Sequence, residues 1–90
     1  MFDPIEARND AIHATVAARL RRDPSLIEEA RATLERWIAR SGREPHPALV
    51  EWQAALDMLD PEQLARFLES RTPRARRMRI SSPFATLAEG

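Results

Sequence analysis

Five times in this chain a residue able to cap a helix stands directly before proline: Asp3-Pro4, Asp23-Pro24, His46-Pro47, Asp60-Pro61 and Thr72-Pro73. A cap side chain accepts one of the orphan N–H groups of a first helical turn, and proline at the first helical position has no N–H to leave unpaired. The arrangement predicts five helix starts. Asp60-Pro61-Glu62-Gln63 adds the spacing of a capping box, in which Gln63 reaches back to the backbone of Asp60. His46 is the weakest of the five caps.

Between these starts the apolar residues recur at helical pitch. Helix one, from Pro4 to Arg22, gathers Phe2, Ile5, Ile12, Val16 and Leu20 within roughly 80° of one another, a stripe that faces a core. Asn9 and His13 share that stripe. Helix two, from Pro24 to Arg40, aligns Leu26, Ala30, Leu34 and Trp37, and Gly42 takes the left-handed position that ends it. Helix three, from Pro47 to Leu59, spaces Leu49, Trp52, Leu56 and Leu59 as the seam of an antiparallel bundle. Its second apolar line, Val50, Ala54 and Met58, is either sandwiched inside the bundle or kept for a partner, including a second copy of the chain. Helix four, from Pro61 to Ser70, contributes Leu64, Phe67 and Leu68. The expected fold is all-α: a compact bundle of four main helices plus a short C-terminal arginine-rich helix and tail. Residues 1–72 form the helical bundle and residues 73–90 the basic helix and C-terminal tail.

Ninety residues, 43% hydrophobic and 31% charged, bound this to one small globular unit without room for a deep catalytic cleft. Cysteine is absent, which excludes disulfides and thiolate metal sites. Lysine and tyrosine are absent too, and the two histidines sit in different elements with no carboxylate at metal-ligand spacing. We therefore expect no catalytic residues, no metal, no cofactor and no enzymatic activity. His13 reads as a polar residue at the stripe's edge, bonded to Asn9 or to backbone; His46 reads as a solvated loop residue. No apolar run approaches the ~18 residues of a membrane span, and Met1-Phe2-Asp3-Pro4 does not read as a signal peptide, so the expected location is cytoplasmic.

Charge is distributed unevenly. Residues 1–70 hold nine arginines against thirteen acids, a formal −4, whereas Arg71 to Ile80 holds five arginines and no acid. At 100° per residue, Arg74, Arg76, Arg77 and Arg79 take up an arc of about 220°, leaving Ala75 and Met78 as a narrow apolar strip. Such a helix has little with which to anchor itself, and two turns are too few to hold alone. It is expected to fray until ordered against something. Three readings follow: a solvated tail folded back onto Glu62 or Glu69, a phosphate-binding cluster for nucleic acid, or an interface with a protein partner. In the last, the guanidinium forks of Arg74, Arg76, Arg77 and Arg79 pair with carboxylates while Met78, Ile80, Pro83, Phe84 and Leu87 are buried, with Ser82 beside them. Arginine mixed with Met and Phe is the composition of interface cores, which favours the protein partner. A formally neutral chain with no aromatic interleaved in the cluster gives nucleic acid less support.

Three segments carry a family resemblance: Arg8-Asn9-Asp10-Ala11-Ile12-His13 leading into Val16-Ala17-Ala18-Arg19-Leu20; Asp23-Pro24-Ser25-Leu26-Ile27 leading into Ala30 to Trp37; and Arg76-Arg77-Met78-Arg79-Ile80-Ser81-Ser82-Pro83-Phe84-Ala85. Together these resemble small helical bacterial antitoxin-like proteins paired with nucleotidyltransferase-like toxins. The Asn9…His13 pair and the Arg79-x-x-Ser82-Pro83-Phe84 ending are the most specific elements. The resemblance implies a cytoplasmic, non-catalytic protein held in a tight complex with one partner, a nucleotidyltransferase-like toxin, with Arg76 to Phe84 in the contact. This chain departs from the pattern in showing no helix-turn-helix before helix one, and in reading Ala85-Thr86-Leu87 after Phe84 where a glycine is expected, so operator binding is not among the expectations.

Overall fold

The computed structural model describes residues 3–89. Its elements are α1 (Pro4–Arg22), α2 (Leu26–Arg40), α3 (Pro47–Met58), α4 (Pro61–Glu69), α5 (Pro73–Arg79) and a closing 3-10 segment, Ala85–Glu89. No strand occurs among the described residues. The all-α bundle is therefore present, and its Cα radius of gyration of 12.6 Å is close to the ~12 Å of a compact chain this long.

Four of the five proline starts serve as read. Asp3 accepts from the N–H groups of Ile5 and Glu6, and Thr72 Oγ1 from Ala75 at 3.2 Å. His46 Nδ1 accepts from Ala48 at 3.1 Å, so this loop histidine does cap its helix. Asp60 and Gln63 close the reciprocal box at 2.8 and 2.9 Å. Asp23 is the exception. It closes α1, its N–H donating to the Arg19 carbonyl, while its carboxylate accepts from the Ser25 N–H. The chain spends Pro24 and Ser25 in turning, and α2 starts at Leu26. Gly42 takes φ +84°, the left-handed conformation expected at the end of α2.

One core cluster binds every helix: Val16, Ala17 and Leu20 of α1; Leu26, Ala30 and Leu34 of α2; Trp52 and Leu56 of α3; Leu64, Ala65 and Leu68 of α4; then Met78 of α5 and Phe84 beyond it. Trp52 is completely buried at its centre, edge-on to Phe67 at 5.6 Å and tilted against Phe84 at 5.8 Å. Both geometries suit aromatic quadrupoles and add to area burial.

One expectation is corrected, that for Ile5, and the packing bears on two further readings. Residues on either side of the division at 72 and 73 pack together, Met78 and Phe84 belonging to the same cluster as Leu20 and Trp52. Ile5, assigned to the core stripe, is 81% exposed: α1 begins before the bundle beneath it does. Phe2, assigned to the same stripe, lies outside the described residues. Of the two readings of the Val50-Ala54-Met58 line, the sandwiched one does not hold, with Val50 at 48% and Met58 at 80% exposure.

Candidate partner-binding groove

The arginine-rich helix is anchored from several sides. Trp52 Nε1–H donates to the Met78 carbonyl at 2.7 Å, joining the middle of α3 to the C-terminal end of α5. One turn of that end brings Arg79 into the interior at 2% exposure. Its guanidinium donates to Asp10 Oδ1 at 2.8 Å, to the Ser70 carbonyl, and to the Phe67 carbonyl at 3.4 Å. These carbonyls lie at the C-terminus of α4, where helical oxygens lack intrahelical donors and the macrodipole is negative. Arg79 therefore caps α4 while neutralising a carboxylate of α1. Arginine suits this role because its flat, weakly hydrated fork bonds in several directions at once. Beyond it, Ser82 Oγ accepts from the Phe84 N–H at 3.0 Å, and Pro83 and Phe84 close into the core. Arg19 then reaches the Leu87 carbonyl, holding the 3-10 segment against α1.

Carboxylates of other helices take up two more guanidiniums. Arg76 meets Glu6 at 3.0 Å and Asp10 at 3.7 Å. Arg77 forms a two-bond fork with Glu51, both bonds 3.0 Å, which holds the Glu51 carboxyl below the usual carboxylate range. The tail does not fold back onto Glu62 or Glu69: both are engaged by Arg21, whose fork lowers both carboxyls. Arg74 keeps no carboxylate among the described residues and instead lies over the Phe67 ring, 5.8 Å from its centroid.

This arrangement corrects the expectation for the tail as a site. Of the nine residues expected to touch a partner, Met78, Arg79, Ser82, Pro83 and Phe84 are buried in the protein's own interior. Arg76 is half-buried, and Arg74, Arg77 and Ile80 remain exposed. The fraying helix was inferred from its own narrow apolar strip. Asp10, Glu6 and Glu51 supply the missing compensation from positions far away in sequence, and Pro83 and Phe84 supply apolar contact beyond the helix's end.

His13 is completely buried, its Nδ1 2.8 Å from the Asn9 carbonyl and its Nε2 without a partner among the described residues. Burial pushes its pKa below the usual histidine value, and the nearby Arg79 charge pushes the same way, against the Asn9 bond and Asp10. The imidazole therefore packs as a neutral core residue. No protein-family model, curated protein or solved structure matches this chain. His13 meets the Asn9 backbone carbonyl, and Arg79, Ser82, Pro83 and Phe84 are buried, so these residues of the antitoxin-like resemblance make contacts within the protein's own interior.

What remains at the surface is a groove of about 560 Å³ between the first half of α1 and the end of α5. Ile5 and Ile12 line one side, Arg76, Arg77 and Ile80 the other, and Arg8 and Ala85 complete it. Ile80, at 80% exposure, matches Ile5 in standing almost fully in solvent. Ile80 was legible from sequence as a candidate site residue. Ile5 and Arg8 were not: the former was placed in the core, and nothing in local pattern distinguishes the latter from other helix-surface arginines. Among the described residues, no group of three His, Asp or Glu is placed to hold a metal ion, and no helix is long and apolar enough to cross a membrane.

Proposed function

We propose that this chain is a non-enzymatic protein-binding module, an antitoxin that neutralises a toxin by covering its active surface in the cytoplasm. The observation that carries the binding role is the groove with Ile5 and Ile80 on its rim. A 90-residue chain that buries Trp52, Phe84 and most of its leucines leaves two large aliphatic side chains, Ile5 and Ile80, exposed along one groove. Such apolar surface rimmed by charges marks interaction sites. The resemblance supplies a nucleotidyltransferase-like toxin as the partner, and the groove supplies the surface. The contact is thereby moved from the tail's buried anchors to the rim formed by Ile5, Arg8, Arg77 and Ile80.

The test is co-expression with the product of the neighbouring gene, which this reading expects to be a nucleotidyltransferase-like toxin. The double variant Ile5→Asp, Ile80→Asp changes only exposed side chains, and we expect it to fold, to lose co-purification and to release toxicity. Co-purification retained by the folded variant removes the groove from this role. An adjacent gene of another class removes the toxin.

Nucleic-acid binding, the alternative role, keeps less of its support. Arg76, Arg77 and Arg79 are committed to the chain's own carboxylates, leaving Arg71 and Arg74 as the cluster's cations without one among the described residues. A homo-oligomer through Val50, Ala54 and Met58 would need more than this line of about 12 Å along one helix, since a stable interface takes roughly 20–30 residues a side.

A further inference from the structure

Charges around the groove are not equally satisfied. On the α1 side, Glu6 is engaged by Arg76 and Asp10 by Arg79, while Asp3 is engaged by the helix N-terminus it caps. On the α5 side, Arg77 is engaged by Glu51. Arg8 alone among the charged side chains lining the groove makes neither an ion pair nor a hydrogen bond with the described residues. The groove thus offers aliphatic surface at Ile5, Ile12 and Ile80 together with one cation, Arg8, that neither a carboxylate nor a backbone group among the described residues engages.

We infer that the groove receives an acidic, aliphatic segment of a partner protein, seating a leucine-like side chain between Ile5 and Ile80 and a carboxylate on Arg8. This inference rests on the protein-binding role above and specifies the chemistry of the partner. A basic segment would find Glu6 and Asp10 already paired with arginines and Asp3 already holding the first N–H groups of α1. An acidic one displaces nothing. An exposed ion pair adds little affinity by itself, so Arg8 sets which segment is accepted while the isoleucines hold it.

The chain's five isoleucines make the test direct: Ile5, Ile12 and Ile80 line the groove, and Ile27 and Ile38 lie outside it. Isoleucine-methyl NMR of the full chain is followed during titration with a short amphipathic Leu/Glu peptide and with its Leu/Lys counterpart of identical leucine spacing. The Leu/Glu peptide is expected to shift the three groove methyls saturably, and the Leu/Lys peptide to bind about five-fold more weakly. Arg8→Glu reverses that order, and Ile80→Asp abolishes both responses with the fold unchanged by circular dichroism. Equal affinity for the two peptides, shifts centred on Ile27 and Ile38, or no saturable shift with Leu/Glu overturns the inference. Shifts that track the protein's own concentration place a second copy in the groove and also overturn it. The peptides probe ligand chemistry alone, so co-purification of Ile5→Asp, Ile80→Asp with the toxin judges the binding role separately.

Discussion

The indole N–H of Trp52 and the carbonyl of Met78 meet at 2.7 Å in the interior, and through that bond the C-terminal segment becomes part of the fold. Ser81 N–H also donates to this carbonyl at 3.1 Å, so losing the indole does not leave the oxygen bare. Trp52→Phe should cost about 2 kcal/mol, combining the lost bond with an imperfectly filled space. Trp52→Ala should cost about 4 kcal/mol through the cavity. Chemical denaturation followed by circular dichroism measures both. A Trp52→Ala protein as stable as the parent would contradict a core centred on this residue.

Arg79 is expected to matter most among the arginines. Arg79→Ala leaves Asp10 with only the longer contact to Arg76 at 3.7 Å and uncaps α4, a loss of about 3 kcal/mol for a broken, largely buried pair. Arg79→Lys keeps the charge but not the fork, and should recover only part of that stability. Arg71→Ala and Arg74→Ala, both at exposed positions, should stay within about 0.5 kcal/mol. Replacing Arg76, Arg77 and Arg79 together is consequently a folding lesion and not a clean test of binding. Thermal melts of these variants give the ranking, and similar values for Arg79→Ala and Arg74→Ala would refute it.

Deleting residues 73–90 should prevent cooperative folding of the remainder. The cut removes Met78 and Phe84 from contact with Trp52 and takes away the cap of α4. Broad, non-cooperative melting with dye-binding apolar surface is the expected result. A sharp transition for residues 1–72 would restore the tail as a separable appendage.

Acid should destabilise the protein in two stages. His13 has a folded pKa below its unfolded value, so the unfolded chain takes up that proton first as pH falls. Its contribution is fully present above about pH 6.5 and is lost as pH drops toward the folded value. Glu51, Glu62 and Glu69 are also held low, by arginine forks, and their contributions are lost below the usual carboxylate range of about pH 4.5. His13→Gln should flatten the denaturation profile between pH 7 and 5 and leave the lower stage in place. An unchanged upper stage in that variant would exclude His13 as its source.

The helices themselves were legible because their signals are local. A cap before proline, glycine after the last turn and apolar residues at helical spacing act within a few residues, and the observed boundaries of α1, α3, α4 and α5 follow them to within one residue. The exception, Asp23, had to close one helix before another could begin. His13 was legible for the same reason: its partner, Asn9, lies one turn away.

Amino-acid order alone determined that this chain makes four main helices and a short fifth, each with an apolar stripe or strip, and that its positive charge gathers near one end. Only the tertiary structure decided what that end is for. Whether an arginine faces water, a partner or its own protein depends on which carboxylates folding brings beside it, and Asp10 lies 69 residues before Arg79. Helical periodicity carries no information over such a separation. The same long-range placement leaves Ile5 and Ile80, from opposite ends of the chain, exposed on one groove.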